Sequence, residues 1–176
     1  MVVLIVVLVG GVFLVGTLGS LAIYGMRRYL AAAKTAEAKN TIGAVSRGAR
    51  AAYEQERIGA APGSEHALCR SATPVPALIP KGVKYLPGND FDTGDADTGW
   101  KCLRFKVVQP IYYQYNYRQN GPFLTPGLSP DPNTFEVVAM GDLDGDADPS
   151  LFSISGRAAS GTVTMSPTLF IQNEFE

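Results

Sequence analysis

The sequence predicts an α+β fold in which one long N-terminal helix packs on a C-terminal antiparallel β-sheet. The first observation behind this prediction is the run 1–26, which is rich in Val, Leu and Ile and has no charged residue. The second is a stripe of apolar residues at helical spacing in 27–57. The third is a series of short β-branched and aromatic runs, separated by Gly, Pro and Asp, after residue 100.

Residues 1–26 are apolar on every side of a helix, and a helix of that length covers roughly 39 Å, more than the ~30 Å hydrocarbon core of a membrane. A chain of 176 residues is too short to enclose such a helix in its own core. No basic stretch precedes it and no Ala-x-Ala site follows it, which argues against a cleaved signal. We therefore expect a retained transmembrane or filament-core helix, with a plain single-pass anchor as the simpler alternative.

Five glycines interrupt this apolar run. Small residues let neighbouring helices approach closely. Each glycine also weakens a helix by about 1 kcal/mol relative to alanine, so the stretch between Gly16 and Gly25 is expected to lose regular helix once the chain leaves the membrane and assembles. The residues that we expect to serve assembly with other copies are Val7, Gly16, Gly19 and Gly25.

The segment 27–57 is predicted to continue the helix as an amphipathic half. Its apolar residues recur in steps of four and three, which places them on one face: Ala38, Ile42, Val45, Ala49 and Ala52. Gly59 and Pro62 are expected to end the helix. Because the apolar face is a single stripe, it requires a partner surface along its length.

Residues 58–176 are predicted to form a globular β domain with long loops, beginning with a loop over 58–80. Short connections between the strands favour antiparallel pairing. Tyr113, Tyr115 and Tyr117 alternate, so they share one face; packing in the sheet is favoured over an exposed contact surface. Trp100 is expected in the core beside Cys102. The predicted strands are 102–108, 111–118, 135–142, 151–155, 162–165 and, at an edge, 168–172.

Cys69 and Cys102 are the only cysteines. They lack the spacing of a metal or haem motif, and the single histidine, His66, leaves little scope for a zinc site. We expect a disulfide that fastens the long loop to the first strand and contributes about 3–4 kcal/mol. Two buried free thiols in a reducing compartment are the alternative.

Alternating carboxylates mark a Gly-containing turn: Asp142, Asp144, Asp146 and Asp148. This pattern is similar to a calcium loop, in which several hard oxygens converge on one ion. It is not an EF-hand, because its glycine is at the fourth position and its twelfth residue is Ser153. Calcium is the one possible cofactor, and a solvated turn is the alternative. A looser acidic cluster is the second candidate: Asp90, Asp92, Asp95 and Asp97.

Several classes of function find no support in the sequence. A net charge of −1 gives no general attraction for nucleic acid. The chain has no phosphate-binding loop, nucleophile elbow or metalloprotease signature. Carboxylates in polar turns are poor candidates for an acid–base pair. We therefore expect neither an enzyme nor a small-molecule substrate.

The segment 14–56 resembles the N-terminal region of a bacterial type IV pilin, and Gly16-Thr-Leu-Gly-Ser-Leu-Ala-Ile23 is similar to the section of pilin helices in which small residues follow a glycine. The resemblance implies a pilin-like fold and a structural subunit that polymerises through its apolar helix. It implies residence in the inner membrane before assembly, then an extracellular filament on the cell surface. The implied partners are many copies of the chain and the pilus assembly machinery, and the implied roles include motility and adhesion.

The chain departs from the family pattern at three points. No glycine followed by an N-terminal phenylalanine marks a cleavage site. The position of the family's early glutamate holds Ile5 or Val7, depending on the alignment. Tyr24 replaces a proline that is common after the glycine segment. Two alternatives remain: a pseudopilin of a type II secretion system, which the acidic turn favours, and a monomeric membrane-anchored periplasmic binding domain.

Overall fold

A computed structural model describes residues 2–55 and 66–175, with side chains from residue 10 onward. The chain divides into two units, Met1–Lys34 and Thr35–Glu176. Helix α1 contributes to both units and ends three residues before the predicted limit at 57. The predicted stop signals Gly59 and Pro62 lie outside the described residues. The elements are α1 (Val2–Glu54), α2 (Gly99–Cys102), β1 (Gln114–Gln119), β2 (Thr134–Gly141), β3 (Ser150–Ala159), β4 (Thr162–Met165) and β5 (Phe170–Gln172).

The α+β prediction is confirmed, because the long helix is followed by one antiparallel sheet. The strand order is β1-β2-β3-β4, and β5 also pairs with β3. Strand β2 occupies one edge of β3 along most of its length, whereas β4 pairs with 156–159 and β5 with 151–153. These two short strands therefore lie end to end on the other edge of β3, joined by the segment 166–169.

The predicted apolar stripe of α1 lies in the core of the second unit. Ala38, Ile42, Val45 and Ala49 are fully buried, and Ala52 packs partly buried against them. Their partners in the core include the aromatic residues of the inner face of the sheet, among them Tyr113, Tyr115, Tyr117, Phe135 and Phe152. The alternating tyrosines are therefore core residues, as their spacing predicted.

One predicted strand is wrong. Residues 102–108 do not pair with the sheet: Cys102 ends α2, and Arg104 has a φ of 50° that an extended strand does not allow. The indole N–H of Trp100 donates to the carbonyl of Thr73 at 2.9 Å, and its ring meets Phe91 edge to face at 4.9 Å between centroids. This segment folds around a buried tryptophan, so its β-type composition reflects burial instead of pairing.

Strand β1 starts later than its sequence suggests. Ile111 forms an isolated bridge with Tyr85, and the backbone N–H of Tyr112 donates to the carboxylate of Glu37 at 2.9 Å. The tyrosine hydroxyl of Tyr115 donates to the same carboxylate oxygen at 3.2 Å. A single helix carboxylate thus anchors the start of the sheet, and regular pairing begins only at Gln114.

Candidate functional site

The first unit presents a helix with an apolar surface. Every large hydrophobic side chain between residues 12 and 30 is 52–75% exposed. Tyr29 is the most exposed at 75%, followed by Val12, Phe13 and Val15. A contiguous apolar surface of this extent is characteristic of an interaction site. The arrangement suits burial against other hydrophobic helices or lipid.

The glycines of this helix have free space where a side chain would lie. No described atom comes within 4 Å of the position of an added Cβ at Gly16, Gly19 or Gly25. Nothing in the described part of the chain therefore requires glycine there for packing. Within the same stretch, the hydroxyls of Thr17 and Ser20 donate to carbonyls three residues earlier, a contact that competes with regular helix bonding.

Over the described residues, none of the helices combines the length and the apolar character that crossing a membrane requires. The predicted span over 1–26 includes residues 1–9, whose side chains lie outside the described part. Val7, which is one of the residues expected to serve assembly, is among them.

The predicted disulfide is present. Cys69 and Cys102 are joined, with their Cα atoms 5.8 Å apart. The bond fastens the loop before residue 70 to α2, whereas the sequence predicted a strand at that point. Next to it, the carbonyl oxygen of Leu103 lies so close to α1 that a Cβ on Gly48 would be only 2.4 Å away. The cross-link therefore holds α2 where it packs on the helix.

The acidic turn brings together three of its four carboxylates. One oxygen each of Asp142, Asp144 and Asp146 lies within 4.8 Å of the others, a separation compatible with ligands at 2.3–2.6 Å around one calcium ion. Asp148 is not part of this group; its backbone N–H donates to Asp146 at 2.8 Å. The turn depends on Gly145, whose φ of +85° favours glycine.

Asp142 is the structural centre of this turn. It is 2% exposed, and its two carboxylate oxygens accept the backbone N–H groups of Gly145 at 2.7 Å and Ala147 at 3.1 Å. Its carbonyl accepts the N–H of Gly82 at 2.7 Å. Asp144 and Asp146 are exposed. The arrangement can offer one buried and two exposed carboxylates to a cation, and its internal hydrogen bonds also hold the turn without one.

The second acidic cluster has different partners. Asp90 accepts the hydroxyl of Tyr85 at 2.8 Å, and Asp92 forms an ion pair with Lys106 at 2.7 Å. Hydrogen bonds from the backbone N–H of Asp97 and then from the side chain of Thr98 hold the pKa of Asp95 below its usual range. In the described part of the chain, the carboxylates of 90–97 do not converge as those of 142–146 do.

The structural roles of two carboxylates were not predicted from the sequence. Glu37 anchors the start of β1, and Glu136 is fully buried within β2. Glu136 sits at an alternate position in a strand whose other face is apolar, a pattern that is typical of a solvent-facing residue. Only the loop that covers it reveals its burial: its oxygens accept the N–H groups of Leu124 at 2.8 Å and Thr125 at 2.7 Å.

Comparison with known proteins gave no match to a protein family, to a curated protein or to a solved structure.

Proposed function

We propose that this chain is the structural subunit of a helical filament of the type IV pilus kind, assembled through the N-terminal part of α1. The observation that carries the proposal is the surface over 12–30, where all eleven large hydrophobic side chains are at least half exposed. A helix that is apolar all round is stable only when buried. Copies of the same helix supply matching apolar surfaces, so a homopolymer satisfies the requirement without another protein.

The energetics favour close packing of these helices. Burying one large apolar side chain contributes about 1.5–3 kcal/mol, and each copy offers eleven. The open positions at Gly16, Gly19 and Gly25 give neighbouring backbones room to approach. The proposal also accounts for glycines that no contact in the described part of the chain requires.

The proposal includes the location and partners that the resemblance implies. Before assembly the subunit resides in the inner membrane, and the pilus assembly machinery then adds it to an extracellular filament. The uncharged run 1–26 supports a subunit that resides first in a membrane and then in a filament, because the same apolar surface can be buried in lipid or in a helical core. The proposed role is structural and requires no catalytic step, nucleic acid or small-molecule substrate.

The test is negative-stain electron microscopy of the purified full chain after removal of detergent. Filaments of about 5–8 nm width are expected from a bundle of ~10 Å helices surrounded by globular domains. Phe13→Arg and Val7→Arg should abolish them, since each places an unpaired charge in the apolar core at a cost of several kcal/mol.

Val83→Arg is the matched control. Val83 belongs to the second unit and is 68% exposed, close to the 72% of Phe13. Filaments from this control, and none from the helix variants, support the proposal. Normal filaments from Phe13→Arg would overturn it.

A second candidate is a pseudopilin of a type II secretion system, which would form short filaments or none. The convergence of Asp142, Asp144 and Asp146 within 4.8 Å favours it, because a bound calcium would stabilise the turn. A monomeric periplasmic domain is the third candidate, and single particles without filaments would favour it over both.

Thermal unfolding with calcium against chelator tests the cation loop. Binding to the folded state alone would stabilise it by about 2.7 kcal/mol at a hundred times the dissociation constant. Asp144→Ala should abolish the calcium-dependent rise in Tm, whereas Asp148→Ala, outside the group of three, should retain most of it. An unchanged wild-type Tm would identify the loop as a solvated turn.

A further inference from the structure

A cavity of about 430 Å³ opens on the face of the sheet opposite the α1 stripe, between β3, the segment 166–169 and the loop that contains Thr125. Its volume is within the range of small-molecule sites. Residues 169–171 form an apolar wall. The polar wall consists of five hydroxyl groups, those of Thr125, Ser153, Ser155, Ser166 and Thr168.

Glu136 holds the polar wall in place from behind. Its carboxylate is fully buried and accepts the hydroxyl of Thr125 at 2.6 Å, besides the two backbone N–H groups of 124 and 125. Thr125 also contacts the hydroxyl of Ser153. The polar wall is therefore hydrogen-bonded to a buried carboxylate that solvent does not reach.

This network determines where the hydroxyl protons lie. The one proton of Thr125 is donated to Glu136, so Ser153 must donate to Thr125 and present lone pairs to the cavity. Ser166 likewise donates to the carbonyl of Thr168 at 2.9 Å. Within the described part of the chain, the hydroxyls of Ser155 and Thr168 have no hydrogen-bond partner, so they can donate or accept.

The charge around the cavity excludes ionic ligands. None of the lining residues in the described part of the chain is charged. The charge in contact with the wall is the negative one of Glu136, which repels phosphates and carboxylates. Its oxygens already accept three donors and are buried, so it does not offer a site to a cation.

We propose that this cavity binds a neutral saccharide unit, either as a free sugar or as part of a polysaccharide. Fixed acceptors on Ser153 and Ser166 match the hydroxyl donors of a pyranose, and the adaptable hydroxyls of Ser155 and Thr168 match its acceptors. The wall at 169–171 matches the C–H face of the ring. The inference does not depend on polymerisation of the chain, because every group involved belongs to the second unit.

The test is saturation-transfer-difference NMR on the full chain in dodecylphosphocholine, a detergent without a sugar headgroup. The probes are D-glucose, D-galactose and N-acetyl-D-glucosamine as free sugars, and dextran as a polymer. At least one free sugar is expected to receive saturation, and dextran transfer that the free sugar displaces would identify the polymer as a second source of the same ligand. Absence of transfer to all four probes at 50 mM would overturn the proposal.

Variants locate the binding in the cavity. Thr168→Ala and Ser155→Ala each remove one adaptable hydroxyl and are expected to weaken binding at least fivefold. Thr164→Ala is the matched control, since Thr164 is exposed on the neighbouring strand and does not line the cavity. Equal binding by all three variants would place the sugar elsewhere and refute the site. Circular dichroism confirms that each variant is folded.

Discussion

The two parts of α1 share a helical backbone but differ in the size and the solvent exposure of their apolar side chains. Between residues 12 and 30 the helix carries large side chains that are mostly exposed, whereas Ala38, Ile42, Val45 and Ala49 are small or medium-sized and completely buried. One apolar surface lies all round the helix and the other is a single stripe. The same helical backbone can therefore carry an exposed apolar surface or a buried apolar stripe. The width of the apolar surface distinguishes the two parts.

The glycines of the helix show the same contrast. Around Gly16 there is open space, but an added Cβ at Gly48 would lie 2.4 Å from the carbonyl oxygen of Leu103. In the second part of α1, glycine is required by a contact within the chain. In the first part, glycine must be required either by contact with another molecule or by the need for a loose helix.

The largest expected difference concerns side-chain truncation. Ile42→Ala should lower the free energy of unfolding by about 2–5 kcal/mol, because it leaves a cavity against the sheet. Leu18→Ala, at a side chain that is 66% exposed, should change it by less than about 0.5 kcal/mol. Denaturant unfolding followed by the fluorescence of Trp100, the only tryptophan, measures both. Equal losses would mean that the first part of α1 is packed within its own chain.

Removal of the disulfide should affect the second unit almost as strongly. Cys69→Ser with Cys102→Ser should lower the free energy of unfolding by about 3–4 kcal/mol through the freed 33-residue loop. In the proposed filament, assembly depends on the first unit, so folded protein should still assemble at low temperature. Unchanged stability of the double variant would contradict the entropic role of the cross-link.

The glycines provide a matched pair of smaller effects. Gly48→Ala should cost about 1–3 kcal/mol, since α1 must move away from Leu103. Gly16→Ala should leave the second unit unchanged and strengthen the helix by up to about 1 kcal/mol, while it impairs assembly. Circular dichroism and filament counts separate the two effects. Improved assembly of Gly16→Ala would exclude close helix contact at that position.

The smallest effects concern the tyrosines that cover the stripe. Tyr115→Phe loses a hydrogen bond to Glu37 and should cost about 0.5–1.5 kcal/mol. The hydroxyl of Tyr117 is buried without a hydrogen-bond partner among the described groups, so Tyr117→Phe should be neutral or stabilising. Urea unfolding at pH 7 compares the two variants, and a larger loss for Tyr117→Phe would contradict the assigned contacts.

Tyr117 also determines the direction in which the stability changes with pH. Burial raises the pKa of Tyr117 above its usual value of 10.0. A raised folded pKa means that the full stabilisation is present below pH 10 and is lost as the pH rises from there toward the folded pKa, because the unfolded chain releases its proton first. Tyr117→Phe should therefore lose less stability than the wild type between pH 9 and 11.

Much of the fold was accessible from the sequence because periodicity reports burial directly. The 4-3-4-3 spacing from Ala38 to Ala52 identified the buried stripe, and the alternation of the three tyrosines identified the inner face of β1. The disulfide followed from having two cysteines and no metal-binding spacing. Strands β2 to β5 were located within a few residues, although β3 is twice as long as its predicted core of 151–155.

The failures arise where a tertiary contact overrides local preference. Residues 102–108 have the composition of a strand but surround Trp100. The indole N–H of Trp100 donates to the carbonyl of Thr73, which lies in a loop that is distant in sequence. The first residues of the predicted strand 111–118 are diverted by Glu37, from a helix far away in sequence. The hydroxyl-lined cavity could not be predicted from the sequence for the same reason. Its walls come from three separate segments, and their relative position depends on hydrogen bonds to Glu136.

The distance along the chain between the α1 stripe and its sheet has a consequence for synthesis on the ribosome. Ala49 is translated roughly 110 residues before Val163, with which it shares the core. At about 5–20 residues per second, the stripe waits roughly 6–23 s for its last partner strand. During that interval both apolar surfaces of the helix are uncovered in the nascent chain, so early capture of the N-terminal segment by a chaperone or a membrane would protect the nascent chain from aggregation.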